Sequence, residues 1–236
     1  MANEYSHRWF GSFLETIPDE WTTGEVAGVM ERLPLPAFRR MLDICCGPAR
    51  HASHLAAAGY TVVGVDRDAT AVGQAAQRVP TATFLVADQR NLSSIRATFD
   101  AAIVLWQSFG YFDAATNDRI LADIARLLRP GGRLLLDLYH PGYAAAHAGV
   151  TTTSRSPDCE SITNRVDLNR LQSSITYTDG TTETMDFELF DPDDLIDRAR
   201  RIDLVCIEEC ASWDRERAPS VDDQRYQLVL ERRGPS

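Results

Sequence analysis

In the middle of the chain, apolar runs of strand length alternate with amphipathic segments of helix length. The runs lie at 41–46, 60–66, 82–88, 100–107 and 133–139, and they consist mostly of Val, Ile, Leu and Ala. Continuous apolar strands separated by helices are typical of a parallel sheet that is buried on both faces. The pattern therefore predicts an α/β fold built on a doubly wound sheet.

Two helices are predicted ahead of this sheet. Tyr5, Trp9 and Phe13 recur every four residues, so they form an aromatic stripe on one helix. The stripe either packs on the core or belongs to a lid that closes over a pocket. Thr22 and Glu25 have the spacing of a capping box, which predicts that the next helix begins at Thr22 and that Glu25 caps it rather than binding a ligand.

After residue 150 the pattern changes to an alternation of polar and apolar positions. Asp179-Gly180 lies within this stretch and predicts the turn of a β-hairpin. Asp191 before Pro192 predicts a helix start, and two strands follow in "LVCIEECASW" and "RYQLVLERR". The predicted organisation is N-terminal helices at 1–36, a core at 37–149 and 191–236, and an antiparallel β insert at 150–190.

Composition and charge narrow the class of protein. The 236 residues are 44% hydrophobic and 25% charged, which is ordinary for a globular protein. No apolar run is long enough to span a bilayer and the first residues lack a signal-peptide pattern, so we expect a cytoplasmic protein without membrane contact. The five cysteines show no CxxC spacing, which favours free thiols. A formal net charge of −10 without a basic run argues against a nucleic-acid partner.

The first apolar strand ends in the turn "CCGPA" at 45–49, which lies at the edge of the sheet where open α/β folds bind ligands. A dinucleotide site would carry G-x-G-x-x-G here, so that the backbone can approach a pyrophosphate. Only Gly47 keeps that pattern, and Asp43 adds negative charge beside it. The turn therefore argues against NAD or FAD and predicts a ligand with a cation near Asp43.

Two further strand ends carry polar side chains. Asp66 ends the second strand, where an acid typically accepts the hydroxyls of a ribose. Asp88 and Gln89 follow the third strand and suit hydrogen bonds to an adenine edge. Together these positions predict a nucleoside with a positive charge and no phosphate, and S-adenosylmethionine fits that description.

Five motifs in order resemble those of class I S-adenosylmethionine-dependent methyltransferases: "LDICCGPARH", "VVGVD", "VADQRNL", "FDAAIVLWQSFGYF" and "LLRPGGRLLLDLYHP". The resemblance covers roughly 20–140 by motif and the closing strands by layout. It implies a Rossmann-like seven-stranded sheet whose last strand lies antiparallel beside the fifth, with S-adenosylhomocysteine as product. Cys45 and Ala49 stand where the family usually has glycine, which stiffens the turn or displaces the cofactor slightly.

The resemblance also implies a set of cofactor contacts along the strand ends. The methionine end would meet the first turn, the ribose Asp66, the adenine Asp88 and Gln89, and the sulfonium would lie beside 105–108. Arg50 and His51 follow the turn as in a Gly-Arg-His subgroup and either brace the helix or touch the ligand. The implied cofactor-binding residues are Asp43, Cys45, Gly47, Arg50, Asp66, Arg67, Asp88, Gln89, Leu105, Trp106 and Gln107.

The fourth strand ends in "WQSFGYF", which lacks the N/D-P-P-Y/F loop of enzymes that methylate DNA-base amines. The stretch resembles methyltransferases of amines and natural products, so we expect transfer to N or O of a small-molecule acceptor. Tyr111 is a catalytic candidate as a hydrogen-bond acceptor or gate, and His140 as a base near neutral pH, although His140 is alternatively part of a turn. The acceptor-side candidates are Tyr5, Trp9, Ser108, Tyr111 and Tyr139, with Trp106 and His147 as further ones.

Other outcomes stay open at this point. Asp137 lies in the fifth strand without an Asp-Asn pair beside it, so no metal is predicted. Two alternatives keep the cofactor: a non-methylating enzyme that catalyses a cyclisation or rearrangement, and a non-catalytic cofactor-binding subunit. The sequence is compatible with a monomer or a homodimer.

Overall fold

A computed structural model describes residues 7–234 of the chain, so Tyr5 lies outside the described residues. Eleven strands are found in this part of the chain. They are β1 (Arg40–Ile44), β2 (Thr61–Asp66), β3 (Thr83–Val86), β4 (Phe99–Val104), β5 (Leu128–Tyr139), β6 (Thr151–Thr152), β7 (Cys159–Asp167), β8 (Arg170–Tyr177), β9 (Thr182–Glu188), β10 (Leu204–Ala211) and β11 (Arg225–Arg232).

Seven α-helices occur in the same residues, together with short 3₁₀ turns at Leu14–Thr16 and Gln89–Ser94. In the described part of the chain, no helix has the length and apolar character that crossing a membrane would require. The helices are α1 (Arg8–Phe13), α2 (Asp19–Arg32), α3 (Arg50–Ala57), α4 (Ala69–Arg78), α5 (Ala114–Leu127), α6 (Pro141–Ala146) and α7 (Pro192–Arg200).

The main sheet has seven strands in the order β10-β11-β5-β4-β1-β2-β3. The first five strands pair in parallel, and β11 lies antiparallel between β5 and β10. This arrangement confirms the predicted fold. The strand order reverses between β4 and β1, and such a switch point opens a crevice outside the carboxyl ends of the strands.

The central strands of this sheet are covered on both faces, which explains their continuous apolar character. The edge strand β3, which the sequence also predicts to be buried, is largely exposed because no strand of the described residues pairs beyond it. Leu134, Leu135 and Leu136 of β5 are all fully buried although their side chains alternate between the two faces. One face packs with α5 and α7, and the other with α2 and α3. The core therefore fixes the positions of the strand ends at which the predicted site lies.

The insert forms a second, antiparallel sheet in the order β6-β7-β8-β9. Asp179-Gly180 lies in the turn between β8 and β9, with Gly180 at φ +82°, as the sequence predicts. One face of this sheet is apolar and packs against aromatic side chains of α1 and of the β4 and β5 strand ends. The division of the chain into domains at the predicted boundaries stays a prediction.

Ion pairs connect α1 to this second sheet. The guanidinium of Arg8 donates to both carboxylate oxygens of Asp158 at 2.7 and 2.5 Å and to Asp179 at 2.8 Å. It also lies 3.9 Å from the ring centre of Tyr177. Trp9 and Phe13 of the predicted stripe pack against the second sheet, and their rings stack with centres 5.7 Å apart.

The predicted start of the second helix is wrong. The helix α2 begins at Asp19 after Pro18, so Thr22 and Glu25 lie inside it and no side-chain cap is formed at its start. Asp19 and Glu20 supply the acids of the first turn, where carboxylates interact favourably with the helix dipole. Glu25 is thus available for contacts with other elements.

Candidate active site

The turn after β1 adopts a backbone that glycine favours, even where glycine is absent. Cys45, Gly47 and Ala49 have φ of 61°, 51° and 67°, in the left-handed region that is uncommon for residues with a Cβ. Cys45 and Ala49 thus adopt a glycine-like backbone although neither is a glycine. At Gly47 a Cβ would lie 3.1 Å from Cε1 of Phe10, so the approach of α1 also requires glycine there.

Two buried carboxylates lie on either side of this turn. Asp66 accepts hydrogen bonds from the backbone N–H of Gly47 and of Asp68, both at 2.9 Å. Asp43 is only 3% exposed, and its Oδ2 has no hydrogen-bond partner among the described residues. Burial, together with the neighbouring charge of Asp66, raises the pKa of Asp43 to about 7. A buried acid in this state matches a ligand that brings a cation.

At the other end of the crevice, Gln89 presents a second unpaired group. Its Nε2 donates to the carbonyl of Ser108 at 3.1 Å, while its Oε1 is buried without a partner among the described residues. Asp88 accepts from the backbone, Nε and Nη2 of Arg90 at 2.6–2.9 Å, and this hydrogen bonding lowers the pKa of Asp88. This end encloses about 480 Å³ and is lined by Ile44, Cys45, Val65, Asp66, Arg67, Ala87, Asp88, Gln89, Ser108, Tyr111 and Phe112.

The end near the first turn is held together by Glu25. Its carboxylate accepts from Arg50 Nη1 at 2.7 Å, from His51 Nε2 at 2.8 Å and from Trp106 Nε1 at 2.5 Å. Burial alone would raise the pKa of Glu25, but the His51 hydrogen bond and the Arg50 charge outweigh it, and the pKa falls to about 2. Arg50 therefore reaches the crevice with its guanidinium fixed. Thr22 also accepts from Arg50, at 2.9 Å.

The space at this end of the crevice, next to the first turn, measures about 620 Å³. We call it the methionine end, and the end near Gln89 the adenine end. It shares Cys45, Asp66, Ser108 and Tyr111 with the adenine end, so the two form one continuous crevice. The remaining residues around it are Trp9, Phe10, Leu14, Asp43, Cys46, Gly47, Arg50, His51, Leu105, Trp106 and Met185. All of the predicted cofactor-binding residues except Gln107 line one end or the other.

A third space, the acceptor cavity, opens from this crevice. It encloses about 1040 Å³ between the main sheet, α1, α6 and the second sheet. Trp9, Trp106, Tyr111 and Met185 line both the crevice and the cavity, so they mark the junction. Three of the four described acceptor-side candidates, Trp9, Tyr111 and Tyr139, line the acceptor cavity, and the fourth, Ser108, lies in the crevice.

Two predicted site residues lie elsewhere. His140 lines neither the crevice nor the acceptor cavity, because its Nδ1 accepts from the backbone N–H of Gly142 and caps α6. Its ring packs edge-on against Tyr226. Gln107 is 2% exposed, and its side-chain amide forms hydrogen bonds with backbone groups. Its Nε2 donates to the carbonyl of Phe109, and its Oε1 accepts from the N–H of Tyr139. It borders the acceptor cavity instead of the crevice.

The sequence reasoning missed Glu25 and Arg225. The acids that follow Pro18 place Glu25 in the middle of α2, and that signal was available in the sequence. Arg225 starts β11 and pairs with the buried Asp137 of β5 at 2.5 Å. No local pattern marks Arg225, because its partner lies 88 positions away.

The crevice fits S-adenosylmethionine better than a dinucleotide. Asp43 Oδ2 and Gln89 Oε1 are unpaired acceptors at opposite ends, matching an ammonium and an adenine amino group. A pyrophosphate would meet two buried carboxylates and be repelled. In residues 7–234, no group of three or more His, Cys, Asp or Glu side chains is placed to hold a metal ion.

Comparisons with known proteins agree with this geometry. Residues 41–132 match the sequence profile of the family described as "Methyltransferase domain". Over 130 residues the chain is 32% identical to dTDP-3-amino-3,6-dideoxy-alpha-D-glucopyranose N,N-dimethyltransferase from Streptomyces fradiae, covering 51% of each chain. The chain spans about half the length of the first curated relatives that it matches.

Solved structures share the whole fold. The CcbJ methyltransferase from Streptomyces caelestis aligns with a TM-score of 0.80 at 15% identity, over 95% of this chain and 96% of that one. CalS10, an amino pentose methyltransferase from Micromonospora echinaspora in a structure with bound S-adenosylmethionine, aligns with a TM-score of 0.70 at 16% identity, over 98% and 99%. The chain therefore has the fold of class I, S-adenosylmethionine-dependent methyltransferases, and its residues 41–132 match the methyltransferase domain by sequence.

Proposed function

We propose that this protein transfers a methyl group from S-adenosylmethionine to N or O of a small-molecule acceptor of the amine or natural-product type. The observation that carries the proposal is the unpaired, buried Asp43 carboxylate at one end of a crevice whose other end presents Gln89. A ligand with an ammonium, a ribose and an adenine satisfies Asp43, Asp66 and Gln89 together.

Each end of the crevice has its own task. Asp43 would pair with the ammonium of the methionine moiety, and Arg50, fixed by Glu25, would face its carboxylate. Asp66 would accept the ribose hydroxyls, although its two oxygens also hold the backbone of Gly47 and Asp68. The backbone hydrogen bonds keep the Asp66 carboxylate oriented before the ligand arrives.

Methyl transfer needs alignment more than proton transfer. When bound, the cofactor supplies a methyl group that its sulfonium activates. The ring side chains at the junction, Trp9, Trp106 and Tyr111, would exclude water and hold the acceptor in line with that methyl group. Such positioning can contribute up to about 7–11 kcal/mol in favourable intramolecular comparisons.

The cavity supports an acceptor that enters as a neutral nucleophile. Among the described residues that line it, none is an aspartate or a glutamate. Burial raises the pKa of the Tyr111 phenol, so Tyr111 stays protonated at neutral pH and acts as a hydrogen-bonding group instead of a base. A general base is required only where the acceptor arrives protonated.

The volume and position of the acceptor cavity favour a small molecule. Its walls come from both sheets and from α1, so an acceptor is enclosed on several sides. A named relative and a structural neighbour act on amino sugars, as a dideoxy-sugar N,N-dimethyltransferase and an amino pentose methyltransferase. Amino sugars are therefore the first acceptors to test.

One feature supports the proposed location of this protein in the cytoplasm. Its five cysteines are free, which is consistent with a cytoplasmic protein in a reducing compartment. The monomer or homodimer predicted from the sequence stays a prediction.

The proposed function is tested in two steps. Calorimetry should show binding of S-adenosylmethionine and S-adenosylhomocysteine and none of nicotinamide dinucleotides. Incubation with methyl-labelled S-adenosylmethionine and a panel of amino sugars, primary amines and phenols should then yield labelled product and an equal amount of S-adenosylhomocysteine. Product without S-adenosylhomocysteine would favour a non-methylating reaction. Preferential binding of a nicotinamide dinucleotide would refute the proposal.

A further inference from the structure

The acceptor cavity has an unusual charge for this protein. The chain contains 34 acidic residues against 24 lysines and arginines, yet no Asp or Glu is among the described residues that line the cavity. Arg225 is the one lysine or arginine in that lining. The described lining therefore presents one arginine and no carboxylate, because Asp137, which pairs with Arg225, is buried and does not line the cavity.

Arg225 is held in a fixed orientation at the cavity wall. Its guanidinium carbon lies 4.9 Å from the centre of the Trp106 ring and 4.8 Å from the centre of the Tyr139 ring. The side chain is 19% exposed. The two ring contacts and the ion pair with Asp137 restrict the guanidinium, so little conformational entropy is lost when it binds a planar group.

The pairing of Arg225 leaves donors for a ligand. Within residues 7–234 its guanidinium makes one hydrogen bond, from Nη1 to Oδ2 of Asp137, whereas a guanidinium carries five N–H donors. The carboxylate of Asp137 also accepts hydrogen bonds from the backbone N–H of Trp106 at 3.0 Å and from Gln227 Nε2 at 2.9 Å. Asp137 thus anchors Arg225 without consuming its donor capacity.

The opposite wall of the cavity supplies neutral polar groups. Asn164 of β7 has a buried Oδ1 without a partner among the described residues, and Ser173 of β8 also lines the cavity. These groups suit hydroxyl or amine donors of a ligand. An acceptor with an anionic group at one end and N–H or O–H groups elsewhere could pair with Arg225 on one wall and donate hydrogen bonds to the polar groups on the other.

We propose that Arg225 binds an oxyanion of the acceptor, a carboxylate or a phosphate, and thereby selects anionic small molecules as substrates. The inference rests on the proposed function, because it assigns the acceptor class to that site. Carboxylate and phosphate share the geometry that a guanidinium recognises, with two oxygens facing two parallel N–H donors. Arg225 is in this respect a specificity-determining residue.

The test uses the full chain loaded with S-adenosylhomocysteine, so that the crevice is filled. Sodium acetate and inorganic phosphate are the probes, titrated at constant ionic strength set with sodium chloride and followed by tryptophan fluorescence, since Trp106 lies against Arg225. We expect saturable binding of at least one probe with a dissociation constant of about 1–10 mM, as befits a single charged contact. Preference for acetate or for phosphate identifies which oxyanion the site favours.

Variants assign the binding to Arg225. Arg225→Gln should raise the dissociation constant of the probe about tenfold or more, and Arg225→Lys should retain part of the affinity. Arg170→Gln is the matched control, because Arg170 pairs with Asp186 in a neighbouring polar groove and does not line this cavity. The double variant Asp137→Asn/Arg225→Gln removes the ion pair without leaving a buried charge. It should also lose binding of the probe while showing a cooperative thermal transition above the assay temperature.

Equal affinity in wild type and Arg225→Gln, or no saturable binding by the wild-type protein, would overturn the inference. The proposed function fails separately. If the chain does not take up S-adenosylhomocysteine in the loading step, both the function and the inference fall. If it binds S-adenosylhomocysteine normally but binds neither acetate nor phosphate, only the inference about Arg225 is refuted.

Discussion

Replacing Asp43 by Asn removes the charge that the crevice offers to an ammonium while keeping the shape of the side chain. The pKa of Asp43 is raised to about 7 by burial, with the charge of Asp66 adding to it. In the unliganded protein the carboxyl is therefore protonated below that pH. The cofactor's ammonium binds the ionised form, so binding at lower pH must release this proton.

The size of the effect follows from linkage. Below pH 7 the affinity for S-adenosylmethionine should fall by about tenfold for each pH unit, hence about tenfold at pH 6 and about a hundredfold at pH 5. Asp43→Asn should bind weakly at pH 7 and lose this pH dependence. The exposed Asp118, which lies on α5 away from the crevice, gives a matched control as Asp118→Asn and should behave as wild type.

The same carboxyl affects stability with the opposite sign. Its pKa in the folded protein lies above the ordinary value of 3.8, so the folded state keeps a proton that the unfolded chain loses. Stability is therefore fully present below about pH 4 and is lost as the pH rises through about 7. Ionisation costs up to about 4 kcal/mol at pH 8, and the apo form of Asp43→Asn should be more stable there by up to that amount.

Calorimetry between pH 5 and 7, in two buffers of different ionisation enthalpy, measures both the affinity and the protons released. Wild type should release close to one proton per site at pH 6, and the Asn variant should release none. Chemical denaturation at pH 5 and pH 8 measures the free energy of unfolding and so tests the stability prediction. A wild-type affinity that is flat across this range, or an Asn variant that binds as tightly as wild type at pH 7, would refute the reasoning.

Three shorter predictions concern other parts of the site. Glu25→Gln leaves Arg50 without its charged partner, so it should lower the free energy of unfolding by about 3 kcal/mol in a denaturant titration and also weaken cofactor binding. His140→Ala removes only a helix cap, so its cost should be about 1 kcal/mol of stability. Its methyl-transfer rate should match wild type, and a large loss of rate would restore His140 as a base. Treatment with EDTA should leave the rate unchanged, and a rate that drops and recovers with added metal would contradict the predicted metal-free mechanism.

The sequence predicted the sheet because its signals are local. Continuous apolar runs predicted the five parallel strands, and Asp191-Pro192 predicted the start of α7, where the Asp191 side chain accepts from the backbone N–H of residues 193 and 194. The place of β11 between β5 and β10 was implied by the family resemblance. No periodicity within β11 specifies which strands it pairs with.

The site was predictable only where it follows strand ends. The sequence places Asp43, Asp66 and Gln89 at one crevice because parallel strands bring their carboxyl ends to one edge. Glu25 was misassigned because its spacing from Thr22 imitates a capping box, and only the true helix start at Asp19 corrects this. His140 was placed at the correct edge, but Pro141 starts a helix directly after it, and the ring turns back to cap that helix.

The pairing of Arg225 with Asp137, across 88 positions of the chain, has a consequence for biosynthesis. The ribosome must synthesise every residue from β5 to β11 before β11 can pair with β5 and bring its arginine beside Trp106. A nascent chain that stops short of β11 would expose the β5 edge and leave Asp137 without its cation. Prematurely terminated chains are therefore expected to be recognised by chaperones and proteases before they acquire a usable site.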